Sequence, residues 1–166
     1  NVADKFNLES QTFYPEVSSK VVAQFKASDD LDQTASVTVR KEQAALRRTL
    51  FQNRLNGTCC ICLEQLPVSF LWASHLKKRS LCCTEEKLDF QNVAAPMCKF
   101  GCDELYEKGY IGVQNGTIVE VQHGCQTTFI NNYISKVIGN ECNAWSRDSK
   151  KYFDWHYTWH QDKVLT

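Results

Sequence analysis

Four cysteines in two close pairs set the tightest limit on what this chain can fold into. Cys59 and Cys62 are spaced CxxC, and about forty residues later Cys98 and Cys102 are spaced CxxxC. Each spacing lets one tight turn aim two thiolates at one point, and two such turns supply the closed tetrahedral shell of a structural zinc. A metal held this way ties the residue 59 region to the residue 98 region and makes the stretch between them a held loop. Cys60, Cys82 and Cys83 stand close enough that the ligand set could shift by a residue. Buried cysteines packing as small hydrophobes are the plain alternative.

The nine cysteines are an odd number. Cysteine richness permits a disulfide-stapled extracellular protein or a reduced metal site. The first stretch has neither a positive start nor an apolar run, so the expectation is zinc in a reducing, cytoplasmic setting, with no signal peptide and no membrane span. A redox enzyme built on CxxC fits poorly, because no βαβ pattern follows Cys59 and Cys62.

At 166 residues with 43% hydrophobic content the chain suits one functional unit. Residues 1–39 carry no recognisable chemistry. Asn7 to Lys26 reads as a helix interrupted near Pro15, and Ser28 to Ala35 as a polar, acidic linker, so 1–39 is an N-terminal extension or the tail of another domain. The functional domain is then 40–166. Formal net charge is zero, which by itself argues against a nucleic-acid partner. Its distribution argues the other way: residues 40–79 hold Arg40, Lys41, Arg47, Arg48, Arg54, Lys77, Lys78 and Arg79 against only Glu42 and Glu64. A solvated helix face explains Arg40 to Arg54 equally well.

Ala44, Leu46, Leu50 and Phe51 fall at roughly helical spacing, predicting a helix from Arg40 to Gln52 that ends at Asn56-Gly57. Val68 to Ser74 reads as a strand that delivers His75 at its end. Asp103 to Lys108 is a short helix closed by Gly109. Tyr110 to Val113 and Thr117 to Val121 flank Asn115-Gly116 as a hairpin. Asp148 to Val164, dense in aromatic residues, is a closing helix. The Asn-Gly-Thr sequences at Asn56 and Asn115 are glycosylation sequons that read more simply as turns. His156 and His160 stand four apart on the last helix, where core packing among Trp155, Tyr157 and Trp159 outweighs a shared metal. His123 and Cys125 could form half of a second zinc site with Cys142, although no spacing demands it.

These pieces resemble HNH endonucleases when taken in order. Leu71-Trp72-Ala73-Ser74-His75-Leu76-Lys77-Lys78 is similar to the family's A-S-H-I-K-P segment, and Asp89-Phe90-Gln91-Asn92-Val93 to D-x-x-N-G-L. Met97 to Ile111 resembles L-C-x-x-C-H-x-L-F-D-x-G-Y-I. Arg40-Lys41-Glu42-Gln43 through Leu46-Arg47 resembles the R-x-x-Q-x-x-L-R lead-in of restriction-type modules, and the residues from Tyr152 to Val164 resemble their closing helix. The likeness spans about residues 40–165.

It implies an α+β fold with a ββα-metal core, structural zinc knuckles and flanking helices. It also implies hydrolysis of DNA phosphodiesters by an activated water, with restriction of foreign DNA as the setting. Carried over by position, His75 is the general base and Asn92 steadies the loop and His75. Asp103 stands where the family has its last metal-binding histidine, and its hard oxygen suits Mg²⁺ or Mn²⁺. Ser74 precedes the base where some relatives carry a metal ligand, which leaves the catalytic shell to few protein groups and several waters. Glu107, one turn from Asp103, is a candidate assistant or a surface carboxylate. Lys77, Lys78, Arg79, Arg47 and Arg48 would hold the double-stranded backbone. Cutting both strands with one site per chain implies a homodimer. The alternative is a zinc-stabilised nucleic-acid-binding module without catalysis.

Overall fold

The computed structural model describes residues 34–121 and 127–164. The predicted helix at 7–26, most of the linker at 28–35, and His123 and Cys125 lie outside them. The described chain is mixed α+β, with three two-stranded antiparallel sheets and five helices.

Helix α1 (Thr34–Phe51) starts earlier than the apolar pattern suggests and stops where Gln52 and Asn53 take left-handed backbone at φ 46° and 59°. Strands β1 (Asn56–Thr58) and β2 (Gln65–Pro67) follow as a short hairpin. Asn56-Gly57 is therefore the start of a strand and not a turn: the helix has already ended upstream, and Gly57 lies so close to the Leu71 side chain that a Cβ would fall 2.8 Å from it.

Val68–Phe70 forms one 3₁₀ turn, so β3 begins only at Leu71 and runs to His75. It pairs with β4 (Ala94–Cys98) from Leu71↔Cys98 at one end to His75↔Ala94 at the other. Strand β4 is hidden in the sequence pattern because Pro96 sits at its centre. Proline is tolerated because this sheet has two strands only; the Pro96 carbonyl accepts the Cys60 N–H at 2.8 Å. Between them lie a 3₁₀ turn (Arg79–Leu81) and the five-residue helix α2 (Thr84–Leu88).

Helix α3 (Cys102–Glu107) follows β4, and then the hairpin of β5 (Ile111–Gln114) and β6 (Thr117–Glu120). Asn115 and Gly116 turn that hairpin with φ 51° and 85°, which the left-handed tolerance of Asn-Gly predicts. Helix α4 (Thr128–Val137) has no counterpart among the elements expected from the sequence, and α5 (Lys150–Val164) closes the fold. Gly109, at φ 74°, ends α3 where α5 passes: a Cβ there would lie 2.1 Å from the His160 ring.

Successive side chains on a strand leave opposite faces. α1 packs on the β3 face that carries His75, and α3 meets the face that carries Ser74. Leu46 and Phe51 of α1, Leu71, Met97, Leu105, Tyr106, Ile111, Tyr152 and Phe153 form one buried cluster around this hairpin. At about 25 cal/mol per Å² of apolar surface removed from water, such a core is the dominant favourable term.

Candidate functional site

Cys59 and Cys62 sit in the β1–β2 turn, where the Cys59 carbonyl accepts the Leu63 N–H and the Glu64 carbonyl accepts the Cys59 N–H, both at 3.0 Å. Leu63 closes the turn at φ 64°, a left-handed conformation that costs a non-glycine residue roughly 1–2 kcal/mol. Cys98 ends β4 and Cys102 opens α3. The four sulfurs lie within 4.8 Å of one another, with Cys62 and Cys98 4.0 Å apart. Zinc at about 2.3 Å from each sulfur gives a tetrahedron with edges near 3.8 Å, so the set can hold a metal ion and its spacing is consistent with zinc. The Cys98 N–H donates to the Cys59 sulfur at 3.3 Å, and the Tyr133 hydroxyl lies 3.6 and 3.5 Å from the sulfurs of Cys98 and Cys102. Hydrogen bonding from Cys102, with Cys62, holds the Cys59 thiol down at about 7, against burial.

The nearby cysteines are used elsewhere. Cys60 is buried and faces Cys142, whose hydrogen bond, with burial, pushes the Cys60 thiol well up. Cys82 donates to the carbonyls of Lys77 and Lys78, and Cys83 is exposed as the cap of α2.

At the other end of the β3–β4 pair stands His75. Its Nε2 is buried and lies 3.3 Å from the Glu42 Oε1 of α1, an ion-pair contact short of hydrogen-bond geometry. Glu42 is only 5% exposed. Arg79 grips it through both carboxylate oxygens, Nε to Oε1 at 2.8 Å and a terminal nitrogen to Oε2 at 2.5 Å. Burial alone would raise the Glu42 carboxyl, but the hydrogen bonds and charges of His75 and Arg79 outweigh it and hold the group down at about 2. Sequence reasoning counts Glu42 only against the neighbouring positive charges and misses this role. The signal is present: Glu42, Ala45 and Leu46 are spaced i, i+3, i+4 and all are buried, so the carboxylate occupies the apolar stripe of its helix.

Ser74, on the opposite face, donates its hydroxyl proton to Asp103 in the first turn of α3. Burial raises the Asp103 carboxyl above its ordinary value; Ser74 opposes the rise, and the charges of Glu107 and Glu104 add to it. Asp103 and His75 thus reach the strand end from opposite sides, through adjacent residues. Asn92 donates its amide to Asp89 at 2.7 Å, and Asp89 also accepts from the Tyr152 hydroxyl at 2.7 Å. The next residue, Val93, receives the Leu76 N–H at 2.8 Å. Asn92 orders the loop entering β4; the residue that meets the imidazole is Glu42.

The five basic candidates divide. Arg47 donates to the carbonyls of Leu71 and Val68 at 2.7 and 3.0 Å, tying α1 to β3. Lys77 pairs with Glu86 at 2.7 Å, and Arg79 is committed to Glu42. Lys78 and Arg48 are exposed. His156 donates from Nε2 to the Tyr106 carbonyl at 2.7 Å and stacks on the Tyr106 ring, which favours packing over metal binding. No described helix is long and apolar enough to cross a membrane.

No family model matches the chain, and no curated protein matches it.

Proposed function

We propose that this protein is a metal-dependent DNA endonuclease of the HNH type, in which β3, β4 and α3 serve as the ββα core and Cys59, Cys62, Cys98 and Cys102 hold a structural zinc. The observation that carries the reading is the end of β3, where His75 backed by a buried carboxylate adjoins a Ser74–Asp103 pair. His75 accepts a proton from a water, and the resulting hydroxide attacks phosphorus. The P–O bond to the 3′ oxygen breaks, leaving a 5′-phosphate and a 3′-hydroxyl that takes its proton from solvent. Asp103, with the Ser74 hydroxyl and Glu107 one turn on, offers the oxygen donors that Mg²⁺ or Mn²⁺ requires. Such a cation, when bound, supplies positive charge to the non-bridging and leaving oxygens. Asn92 keeps the loop before β4 in register with the strand that carries His75.

Of the five basic candidates, exposed Lys78 and Arg48 are the ones left to neutralise backbone phosphates. Double-strand cleavage from one site per chain calls for two copies of this chain, and restriction of foreign DNA is the setting the reading favours.

The test is cleavage of supercoiled plasmid by the purified chain in Mg²⁺, in Mn²⁺ and in EDTA, with His75→Ala alongside. Nicking or linearisation is expected with either metal and none in EDTA, and the variant should be slower by about 10²- to 10⁴-fold. A folded, zinc-loaded parent that leaves both modified and unmodified DNA intact would instead favour a binding module, as would a variant that cuts like its parent.

A further inference from the structure

We infer that Glu42 is the positioning residue of His75: it accepts the Nε2 proton, fixes one imidazole tautomer and thereby makes Nδ1 the nitrogen that takes the proton from water. The inference rests on the nuclease reading for its consequence, but on geometry alone for its substance. A neutral imidazole carries one proton on one of two nitrogens, and the partner of the protonated nitrogen decides which. His75 Nε2 is shut off from water and makes no hydrogen bond of standard geometry, and the group that faces it is the Glu42 carboxylate, 3.3 Å away. An ionised carboxylate only accepts hydrogen bonds, so the tautomer it favours is the one with the hydrogen on Nε2. Nδ1 then keeps its lone pair.

Arg79 completes the device. Its guanidinium donates to Oε1 and Oε2 together, a fork that fixes the carboxylate plane as well as its charge. Oε1 is shared, receiving Arg79 Nε at 2.8 Å and facing His75 Nε2 at 3.3 Å. Glu42 is buried and held ionised, so it cannot drift toward solvent or take the proton itself. When His75 gains a proton on Nδ1, the imidazolium that forms already has an anion beside it. The helix before the first cysteines thus meets a distant strand end and the turn that follows it, with His75 and Arg79 both converging on Glu42. Arg79 acts through Glu42 on the base and is not available to the DNA backbone.

The experiment is a long-range proton–nitrogen NMR correlation of the ¹⁵N-labelled full chain at a pH where His75 is neutral, its signals assigned by their loss in His75→Ala. The parent should show the Nε2–H tautomer alone. Glu42→Gln, whose amide can accept or donate, should show a mixture, with kcat for plasmid nicking lower by roughly 10- to 100-fold and KM little changed. Glu42→Asp, which retains the charge, should recover part of that activity. An Nδ1–H tautomer or a mixture in the parent overturns the inference, and that spectrum decides even if the Glu42 variants fail to fold. An unchanged tautomer and rate in a folded Glu42→Gln overturn it as well. If the tautomer behaves as expected but no variant, parent included, cuts DNA, the pairing stands and the nuclease reading falls.

Discussion

The cysteine cluster and the His75 site occupy opposite ends of one strand pair, with Leu71↔Cys98 at the first end and His75↔Ala94 at the second. Four residue steps along an antiparallel strand separate them by about 13 Å. The first end is built from local turns: two thiolates come from one hairpin turn and two from one strand-to-helix junction. The second end is assembled from α1, β3, the turn at Arg79 and α3, of which only β3 and that turn are neighbours in sequence. Local construction lets one end act as an anchor that joins the β1–β2 turn to the junction of β4 and α3. Non-local construction lets the other end combine an imidazole, two carboxylates and a guanidinium that no short motif could bring together.

The largest effect should come from breaking the anchor. Structural zinc contributes an apparent 10–16 kcal/mol or so in small cysteine sites, about as much as the whole stability of an ordinary domain. Cys102→Ser, or a strong chelator on the parent, should therefore abolish cooperative thermal unfolding and expose the core to dye binding. Zinc measured by atomic absorption should fall together with the melting transition. A chelated, metal-free protein that still melts sharply near the parent Tm would show that the sulfurs are ordinary core thiols. His75→Ala marks the contrast, because Glu42 keeps Arg79 as a partner and the fold should survive while cleavage slows by about 10²- to 10⁴-fold.

The same contrast decides what can be read before folding. Cysteine spacing is a local property, so Cys59, Cys62, Cys98 and Cys102 are legible and do come together. The Asn115-Gly116 hairpin and the helix closed by Gly109 are legible for the same reason, each being fixed by a residue that tolerates positive φ. Glu42 is legible only as a member of its helix's apolar stripe and not by its partner, because His75 lies 33 residues away and a helical Glu in a basic stretch has a cheaper explanation at the surface. Lys77 and Arg79 mislead in the complementary direction. In sequence they are free positive charges beside His75, whereas Glu86 and Glu42 engage them in the fold. Strand β4 is masked by Pro96, and α4 by the absence of any chemistry to draw attention to it. Charge pairing and strand pairing are long-range facts, and a run of residues records only the candidates for them.

The pair of histidines on α5, His156 and His160, sharpens the comparison by titration. Burial, with a smaller contribution from His160, holds the His156 imidazole down at about 3, against an ordinary 6.5. Between those values the unfolded chain binds a proton that the folded chain refuses. The stability His156 permits is thus complete above pH 6.5 and declines as pH falls toward 3, by about 1.4 kcal/mol for each unit of the window traversed. Glu42 adds a decline of the same sign, confined to the range below its ordinary 4.5 and running down to about 2. Urea midpoints for the parent should therefore fall between pH 6.5 and 5. The difference between the parent and His156→Phe, which cannot titrate, isolates that slope. If the two proteins decline in parallel, His156 is not the buried neutral group that backs α3 against α5.

The smallest effect concerns the cations around the strand end. Removing one lysine or arginine that neutralises a phosphate should reduce the slope of log affinity against log salt by about 0.9 for duplex DNA. The Arg48→Ala, Lys78→Ala double variant should accordingly lower that slope by roughly two and weaken binding several-fold at low salt, without moving Tm. Lys77→Ala removes a cation of equal charge that is already paired with Glu86 and lies over the Trp155 ring. It should lower Tm slightly and leave the salt slope almost unchanged. Fluorescence anisotropy of a labelled duplex across a series of salt concentrations measures both. Equal slopes for the parent and both variants would mean that the DNA-facing surface lies away from β3, and a fall with Lys77→Ala alone would mean that its ion pair opens on binding. Because the paired and unpaired lysines are consecutive residues, the comparison holds position nearly constant and varies only whether the fold has already used the charge.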